Sequence, residues 1–487
     1  MIPILLLAAE AFARAGGGHS FGGGGGGGGF HSSGGYSGGG SNFHVGGSYS
    51  GGGNGNGGFL LWWLFFEHPE IGIPLALFVI FLKVYGARAG AQERTVVRSR
   101  PVVSRALNLA PLLAADAQFS RALFLDLARL VFIRTHEERG RGNWDALAPF
   151  LSDAGRKTLT GLGGQIKEIR DVVIGSARIS ALEMDRRTTI VVAFTANLTE
   201  NGNQRYVEET WRFTRDNGAQ SLGPDRMRTL GCPNCGNPIE TRTDGSCRAC
   251  DTVVNDGRLQ WQVTGVHRGA VRTVEAIELA LGGSGIEEGT DLPTLADPGL
   301  ASAQRALRAR HPEFVWTAFR TRAAETFLKI QEAWSTGRWE TARPYETDFL
   351  FQQHRYWIER YAREGLTNRL SDVGINDVVP ARVELDAHCE SITVRIFARM
   401  KDWTEDRNGK VVSGDPKNSR VFSEYWTFVR SAGRKGKDTP IDNCPSCGAA
   451  LDRISETGVC GYCEAKVTGG DFDWVLTTID QDEVYRG

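Results

Sequence analysis

FSRALFLDLARLVFIRTHEERGRGNWDALAPF, residues 119–150, and FVWTAFRTRAAETFLKIQEAWSTGRWETARPY, residues 314–345, align without a gap. In each copy, aromatic and small apolar residues recur at a four-residue step, which predicts an amphipathic helix with one apolar stripe. A glycine ends that helix, and a proline followed by an aromatic residue begins the next segment. The matching residues are Phe119, Phe124, Ala128, Phe132, Gly142, Trp144 and Pro149 in the first copy, and Phe314, Phe319, Ala323, Phe327, Gly337, Trp339 and Pro344 in the second.

The correspondence continues beyond these helices. A strand of period two, a cluster of four cysteines and a further tryptophan follow in the same order in both copies. Their matching residues are Arg205, Glu209, Trp211, Phe213, Arg215 and Trp261, and Arg420, Glu424, Trp426, Phe428, Arg430 and Trp474. This order indicates an internal duplication. We predict two domains, 118–281 (repeat 1) and 300–487 (repeat 2), joined by a linker at 282–299.

In each repeat, two helices are followed by strands, which predicts an α+β fold with an antiparallel sheet. Asn-Gly at 201–202 and at 408–409 marks a hairpin between the last two strands of each repeat. The predicted strands are Val172–Ile179, Thr189–Ala196 and Tyr206–Thr214, then Val378–Leu385, Ile392–Met400 and Val421–Val429. Further helices are predicted at Val102–Ala115, Val271–Leu281 and Ser302–Arg310, the last one introduced by Asp297-Pro298.

Eight of the nine cysteines form two clusters, each with two Cys-x-x-Cys pairs that are 11 or 12 residues apart. This spacing predicts a tetrahedral Zn²⁺ site in each repeat, within ribbons at 230–252 and 442–466. Because all four ligands are cysteines, no position is left for water, and both zinc ions are predicted to be structural. Disulfides are the alternative, which a reducing compartment disfavours. The predicted ligands are Cys232, Cys235, Cys247 and Cys250, and Cys444, Cys447, Cys460 and Cys463.

The first 117 residues differ in composition from the repeats. Residues 1–15 resemble a signal peptide, because an apolar run is followed by Ala-Arg-Ala. Residues 16–58 contain 24 glycines in 43 positions, so we interpret them as a disordered tether. Residues 59–86 are a membrane-segment candidate, and 87–117 form a basic juxtamembrane linker and helix.

Two arrangements of the membrane segment fit the sequence. Either Leu64–Tyr85 spans the bilayer, or Phe59–Phe66 lies in the interface and the following apolar run spans it. In both, basic residues flank the C-terminal side, which places the repeats in the cytoplasm and the glycine-rich segment outside. The same residues can contact anionic lipid head groups. They are Lys83, Arg88, Arg94, Arg98, Arg100 and Arg105.

The charge distribution does not favour nucleic-acid binding. The 487 residues carry a formal net charge of −1, and acidic residues match or outnumber basic ones in both ribbons. The ribbon charges are Arg242, Arg248, Arg453 and Lys466, against Glu240, Asp244, Asp251, Asp452, Glu456 and Glu464.

The sequence contains no Walker loop and no nucleophile elbow, and we predict that the protein is not an enzyme. His136 ends the first helix but is replaced by Gln331 in the second copy. Glu209 and Glu424 alternate with aromatic residues, which we interpret as outward charges. His388 and Cys389 are neighbours in a strand, so their side chains point to opposite faces, and Cys389 is interpreted as a packed free thiol.

The two repeats resemble the Tim44-like family, which includes the membrane-associated import-motor tether of mitochondria and its bacterial relatives. In repeat 2 the resemblance rests on Phe327-x-x-Ile330-Gln331-x-x-Trp334-x-x-Gly337-x-Trp339, on Arg343-Pro344-Tyr345 and on Glu424-x-Trp426-x-Phe428-x-Arg430. Repeat 1 keeps Phe132, Gly142, Trp144, Pro149, Phe150 and Glu209-x-Trp211-x-Phe213. The N-terminus also resembles bacterial members, with Ala-Arg-Ala, Gly-Gly-Gly-His-Ser-Phe, a Gly/Ser run and one span.

The resemblance implies a fold like that of nuclear transport factor two, in which a helix and a curved antiparallel sheet form a cone around an apolar pocket. It also implies contact with membrane lipids and with protein partners such as translocation machinery or chaperones, and no catalytic residues. We therefore expect a single-pass protein of a bacterial-type plasma membrane whose cytoplasmic part is a scaffold. The alternative is a lipid- or small-molecule-binding protein, or an enzyme, that uses the same pocket.

Overall fold

The computed structural model describes residues 102–103, 107–162, 166–273, 289–435, 440–482 and 484–487, which all belong to one compact unit. The predicted signal peptide, tether and membrane segment lie outside the described residues, as do most of the juxtamembrane segment and the first part of the linker. Among the helices that the structure describes, none is long and apolar enough to cross a membrane.

Repeat 1 consists of helices on one face of an antiparallel sheet. The elements up to its end are β1 (Val102–Val103), α1 (Ala110–Ala115), α2 (Arg121–Arg141), α3 (Asp153–Thr160), β2 (Ile169–Met184), β3 (Arg187–Glu200), β4 (Asn203–Asp216), α4 (Pro224–Met227) and β5 (Gln262–Thr273). Strands β2-β3-β4-β5 form sheet 1 in that order. The predicted strands are confirmed and are longer than expected.

Repeat 2 has the same architecture. The remaining elements are β6 (Leu295–Ala296), α5 (Leu300–Arg310), α6 (Trp316–Thr336), α7 (Asp348–Glu364), β7 (Thr367–Leu385), β8 (Cys389–Glu405), β9 (Val411–Ser431) and β10 (Val475–Gln481). Strands β7-β8-β9-β10 form sheet 2, and β1 pairs in parallel with β6. The described residues are therefore mixed α+β and contain two four-stranded antiparallel sheets, as the sequence predicts at this level.

The same aromatic contacts join helix to sheet in both repeats. In repeat 1, the ring of Phe124 on α2 lies edge-on to Phe213 and Trp261, with ring centroids 5.6 and 5.2 Å apart. In repeat 2, Phe319 on α6 has the equivalent contacts with Phe428 and Trp474, at 5.5 and 5.2 Å. Burying one such side chain stabilises a fold by about 1.5–3 kcal/mol, so these rings contribute to the stability of both repeats.

Two of the predicted helices are wrong in part. Val102–Val103 is a strand that pairs with Leu295–Ala296, and the helix predicted from Val102 begins only at Ala110, next to Pro111. Proline is favoured in the first turn of a helix, which explains this starting point. The helix predicted from Val271 is also wrong at its start, because Val271–Thr273 continue β5 and pair with β4. The helix after Pro298 begins at Leu300, close to the prediction.

The first strand of each sheet is bent at corresponding places. β2 and β7 each contain three shifts of register against the next strand. The first shift in each strand contains an aspartate in the left-handed region, Asp171 and Asp372, both with φ of 53°. Bulges of this kind increase the local twist and bend the strand, so both sheets curve along their first strand.

Helix α2 also packs against sheet 2. Ile392, Val394 and Ile396 of β8 belong to the core of repeat 2, on the face of the sheet covered by α6. The opposite face, which we call the back face, carries Ser391 and Thr393 and lies next to α2. Cys389 and Val429 of repeat 2 belong to the same buried cluster as the core of repeat 1. The layers are therefore sheet 1, helix α2, sheet 2 and helix α6.

The rest of the back face is covered by the linker and the C-terminal segment. Arg395, which is almost fully buried, donates to the carbonyl oxygen of Leu292 (2.8 Å) and to the Asp482 carboxylate (3.0 Å). The ring of Tyr485 stacks on Tyr425 with centroids 3.8 Å apart. These contacts hold the linker and the C-terminal segment of repeat 2 against the back face of sheet 2.

Candidate functional site

Each four-cysteine cluster brings its four sulfur atoms together. All Sγ atoms of a cluster lie within 4.8 Å of one another. Cys232 and Cys250 are 3.8 Å apart at Sγ, and Cys235 and Cys247 are 3.9 Å apart. The cysteines of the second cluster are Cys444, Cys447, Cys460 and Cys463, with 3.8 Å between the first and the last. Both clusters can hold a metal ion.

Two tight turns position the sulfurs in each cluster. After the first pair, Gly236 and Gly448 have φ of 79° and 82°, which is the left-handed conformation that the predicted turn requires. Asp251 and Glu464 take the same role after the second pair, both with φ of 58°. At each turn the amide of the left-handed residue donates to the carbonyl of the first cysteine, as from Gly236 to Cys232 at 2.8 Å.

The donor set fits a tetrahedral metal. Four thiolates at about 2.3 Å from one ion would lie about 3.8 Å apart, which is the separation observed. Backbone amides point at the sulfurs, as from Cys235 to Cys232 Sγ at 3.5 Å and from Ala249 to Cys247 Sγ at 3.4 Å. All nine cysteines lie in described residues and none forms a disulfide. The geometry therefore matches a closed metal site.

Hydrogen bonds favour the thiolate at one ligand of the first cluster. The Asn234 side-chain amide, 3.4 Å from Cys250 Sγ, is the main group that lowers the pKa of Cys250 to about 6. Burial raises the pKa of Cys232, in the same cluster, to about 12. A bound divalent cation would deprotonate both thiols, because only the thiolate is a metal ligand.

Ribbon 2 is attached to its repeat by the Arg-Pro-Tyr motif. Arg343 donates from Nε to the Glu456 carbonyl in the ribbon (2.6 Å) and ion-pairs with Asp348. Lys466 from the ribbon also binds Asp348, with Nζ 2.6 Å from the carboxylate. Tyr345 donates to Asp442 at the start of the ribbon (2.6 Å). The Arg-Pro-Tyr motif of the family resemblance therefore has a physical role, which is to attach the ribbon to the helical part of repeat 2.

Ribbon 1 is attached differently, because Ala148 replaces the arginine of the motif. Arg226, on the short helix α4, donates from Nη1 to the Cys232 carbonyl (3.1 Å). Arg228 then binds Asp126 of helix α2, with 3.3 Å between Nε and Oδ2. The first four-cysteine cluster is therefore connected through Arg226 and Arg228 to the helix that lies between the two sheets.

Glu209 and Glu424 are buried, so their interpretation as outward charges is wrong. Their exposed fractions are 2% and 1%. Glu209 lies two residues from Trp211 and shares its face of the strand, which is the core face. Trp211 donates from Nε1 to Glu209 (2.8 Å), and Trp426 donates in the same way to Glu424 (3.0 Å). The period of two in the sequence was the signal that could have predicted this burial.

Glu209 is the centre of a buried ionic cluster in repeat 1. Its carboxylate lies 3.1 Å from His136 Nε2 and 2.7 Å from Arg268 Nε. Arg268 also binds Glu200, which is shared with Arg139 (2.9 and 3.1 Å). Burial alone would raise the pKa of Glu209, but His136 and Arg268 lower it to about 2. His136, whose equivalent in repeat 2 is Gln331, is thus a partner of this carboxylate.

Repeat 2 has its buried pair at another place. His354 Nδ1 lies 2.7 Å from Glu346 Oε1, and both side chains are at most 1% exposed. Burial raises the pKa of Glu346, against the opposing effects of His354 and Arg343. The pair lies beside the Arg343 contacts that hold ribbon 2, because Arg343 Nη1 also donates to the Glu346 carbonyl oxygen (2.9 Å).

One further arrangement is shared by the repeats. Arg215 lies over the ring of Trp261 (4.2 Å), and Arg430 lies over Trp474 (4.3 Å). The carboxylate partner differs. Arg215 Nη2 binds Asp116 at 2.5 Å, whereas Arg430 Nε binds Glu390 at 2.8 Å, and His311 also binds Glu390 at 2.6 Å. In both repeats, therefore, a buried arginine packs on a core tryptophan and is paired with a buried carboxylate.

His388 lies in the turn between β7 and β8, so the prediction that it shares a strand with Cys389 is wrong. Cys389 is the first residue of β8 and is 3% exposed, within the buried cluster shared with repeat 1. Burial raises the pKa of its thiol to about 12. Cys389 is therefore a packed residue of the contact between the repeats.

Residues 300–440 match the family model of the Tim44-like domain. This segment runs from the first residue of α5 to the start of ribbon 2, and the predicted resemblance is confirmed for it. No curated protein matches the chain significantly. The match indicates a domain type associated with protein interaction and translocation.

Replacing Glu209 by Gln tests the buried cluster. Since the pKa of Glu209 is about 2 in the fold and about 4.3 in an unfolded chain, its carboxylate stabilises the fold above about pH 5, and this contribution is lost as the pH falls toward 2. We expect Glu209→Gln to cost about 3–5 kcal/mol at pH 7 and to reduce the loss of stability between pH 5 and pH 3. Urea unfolding at pH 7, 5 and 3 measures both effects.

The control for that experiment is Glu208→Gln, at the exposed neighbouring position. It should leave stability and its pH dependence close to those of the unchanged protein. Parallel pH profiles for Glu209→Gln and the unchanged protein would contradict the assignment.

Replacing one cysteine in each cluster tests the metal centres. We expect Cys232→Ser and Cys444→Ser each to lose one of two bound metal equivalents, because the remaining three thiolates hold the ion less tightly. Cys389→Ser should keep both. Metal analysis of the purified full-length protein measures the stoichiometry, and two equivalents retained in Cys444→Ser would rule out the second site.

Proposed function

We propose that this protein is a membrane-anchored scaffold that binds other proteins during translocation or membrane-protein assembly. The observation that carries this proposal is the match of residues 300–440 to the Tim44-like domain. The proposed anchor is the segment 59–86, with the repeats in the cytoplasm, on the basis of the sequence pattern alone. The proposed partners are membrane lipids and proteins, and nucleic acid is not among them.

We propose that both repeats, 118–281 and 300–487, are Tim44-like domains with the cone shape of nuclear transport factor two. The bent strands β2 and β7 support this proposal, because a cone needs a sheet that curves around its helix. The shared contacts of Phe124 and Phe319 with the sheet support the extension from repeat 2 to repeat 1.

We propose that Zn²⁺ occupies both four-cysteine centres and has a structural role. Four thiolate ligands at tetrahedral spacing favour zinc over harder cations, which prefer oxygen ligands. The contacts of Arg343 and Lys466 between ribbon 2 and the helical part of repeat 2 support a role in stabilising the fold. In this role the ion joins segments that a small core alone would hold weakly.

The partner-binding surface that we favour is a groove at the start of helix α6. It encloses about 340 Å³ and is lined by Phe314, Val315, Phe319, Ile441 and Trp474. Val315 is 56% exposed, although it is a large apolar residue. Charged side chains, including Arg322 and Asp473, surround these apolar residues. An apolar side chain of an extended partner segment, flanked by polar residues, fits this groove.

A small-molecule or catalytic function is the second candidate, and one observation favours it. His136 and Glu209 converge inside repeat 1, which is the kind of polar pair that a catalytic site needs. Both side chains are fully buried, however, and Arg268 and Trp211 also donate to the carboxylate. We therefore propose that this pair is structural and that the protein is not an enzyme.

Photo-crosslinking in cells tests the proposed function. A photoreactive amino acid at position 315 should capture components of the translocation or membrane-assembly machinery, identified by mass spectrometry. The same amino acid at position 186, in an exposed turn between β2 and β3, is the matched control and should not capture them. The same capture at both positions, or capture of lipid alone at position 315, would contradict the proposal.

A further inference from the structure

The two repeats enclose a cavity that neither of them forms alone. It encloses about 220 Å³. Helix α2 and strand β2 of repeat 1 form one side, and the back face of sheet 2, helix α7 and the segment 484–487 form the other. Typical sites for drug-sized molecules enclose about 300–1,000 Å³, so a ligand for this cavity is smaller. The cavity is a product of the tandem arrangement.

Much of its wall is apolar. Leu125 and Ile133 contribute from α2, and Phe349 contributes from α7. Val429 and Ile479 contribute from sheet 2. An apolar wall of this kind favours a ligand with a hydrocarbon body over a bare inorganic ion.

The charged groups of the lining are mostly guanidinium groups. Six arginines and three side-chain carboxylates line the cavity: Arg121, Arg129, Arg178, Arg228, Arg382 and Arg486, and Asp126, Glu384 and Asp480. The local charge is therefore positive, although the whole chain carries a net charge of −1. A positive cavity with apolar walls raises the local concentration of small anions.

Two of the carboxylates are each shared by two arginines. Asp126 Oδ1 lies 3.3 Å from Arg129 Nη1, and its Oδ2 lies 3.3 Å from Arg228 Nε. Glu384 Oε1 lies 3.4 Å from Arg121 Nη1 and 2.8 Å from Arg382 Nη2. A guanidinium group has five N–H donors, so this sharing leaves donors for another oxyanion.

Arg178 and Asp480 complete the lining. Arg178 donates from Nη1 to the carbonyl oxygen of Val484 at 3.3 Å, which is a neutral acceptor. Within the described residues, the Asp480 carboxylate forms no hydrogen bond or ion pair of its own. Burial raises the pKa of Asp480 to about 6, against the opposing charges of Arg178, Arg129 and Arg121. Near neutral pH this carboxylate would repel an anion in the cavity.

We propose that the cavity between the repeats binds a small organic anion, with its carboxylate or phosphate group on Arg129 and Arg178 and its hydrocarbon body against Leu125 and Phe349. Guanidinium groups bind both kinds of oxyanion through paired N–H donors. Because the ligand contacts both repeats, its binding stabilises their contact. This inference is independent of the proposed scaffold function.

The experiment uses isothermal titration of the purified full-length protein at pH 7.5 with four probes. Phenyl phosphate and benzoate carry the two oxyanions on an apolar ring, inorganic phosphate lacks the ring, and benzyl alcohol lacks the charge. We expect saturable binding of phenyl phosphate or benzoate, and binding that is at least tenfold weaker for inorganic phosphate and for benzyl alcohol. No saturable binding of either aromatic anion, or equal binding of inorganic phosphate, would overturn the proposal.

Substitutions of lining residues test whether the aromatic anion binds in this cavity. Arg129→Gln and Arg178→Gln should each weaken binding of the aromatic anion about tenfold or more. Asp480→Asn should strengthen it several-fold by removing the opposing carboxylate, and it remains informative if an arginine variant does not fold. Arg186→Gln, in the exposed β2–β3 turn, is the matched control and should not change the affinity. Unchanged affinity in Arg178→Gln and in Asp480→Asn would overturn the proposal.

Discussion

Helix α2 is packed on two sides, and the arrangement of the described residues depends on this constraint. Its phenylalanines contact the core face of sheet 1, and its other side lies against the back face of sheet 2. A helix between two sheets must present side chains suited to both. Leu125 and Ile133 lie outside the apolar stripe of α2 and face the second sheet, together with Arg121 and Arg129. The two repeats are therefore not interchangeable, although their sequences align.

The back face of sheet 2, against which α2 packs, is polar. The back face of sheet 2 carries hydroxyl and guanidinium groups, as in the Thr393–Thr427 hydrogen bond of 2.9 Å and in Arg395. Covering such a face is unfavourable unless its polar groups keep partners. The linker carbonyls, the C-terminal segment and the charged side of α2 supply those partners. The inter-repeat cavity is the part of this face that α2 does not fill.

Local patterns in the sequence were sufficient for most of the fold. The four-residue step predicts the helices at 121–141 and 316–336, and Asn-Gly predicts the hairpins. The Cys-x-x-Cys spacing predicts two clusters of four sulfur atoms, which the structure contains. Contacts between distant segments were not predictable, because a local pattern does not specify which distant residues it will meet. The packing of α2 on sheet 2 and the role of Arg343 require knowledge of how the repeats and ribbons meet. The burial of Glu209 was predictable from the sequence, because residues two positions apart in a strand share a face and Trp211 is a core residue.

The most direct test of the two-sided role of α2 is hydrogen–deuterium exchange of the full-length protein with Leu125→Lys. This change adds a positive charge on the side of α2 that faces repeat 2, beside guanidinium groups that already exceed their carboxylate partners. The account predicts faster amide exchange in β8 and β9, around Ser391–Thr393 and Thr427–Val429, which are more than 260 positions away in the sequence. Faster exchange confined to repeat 1, with β8 and β9 unchanged, would contradict it.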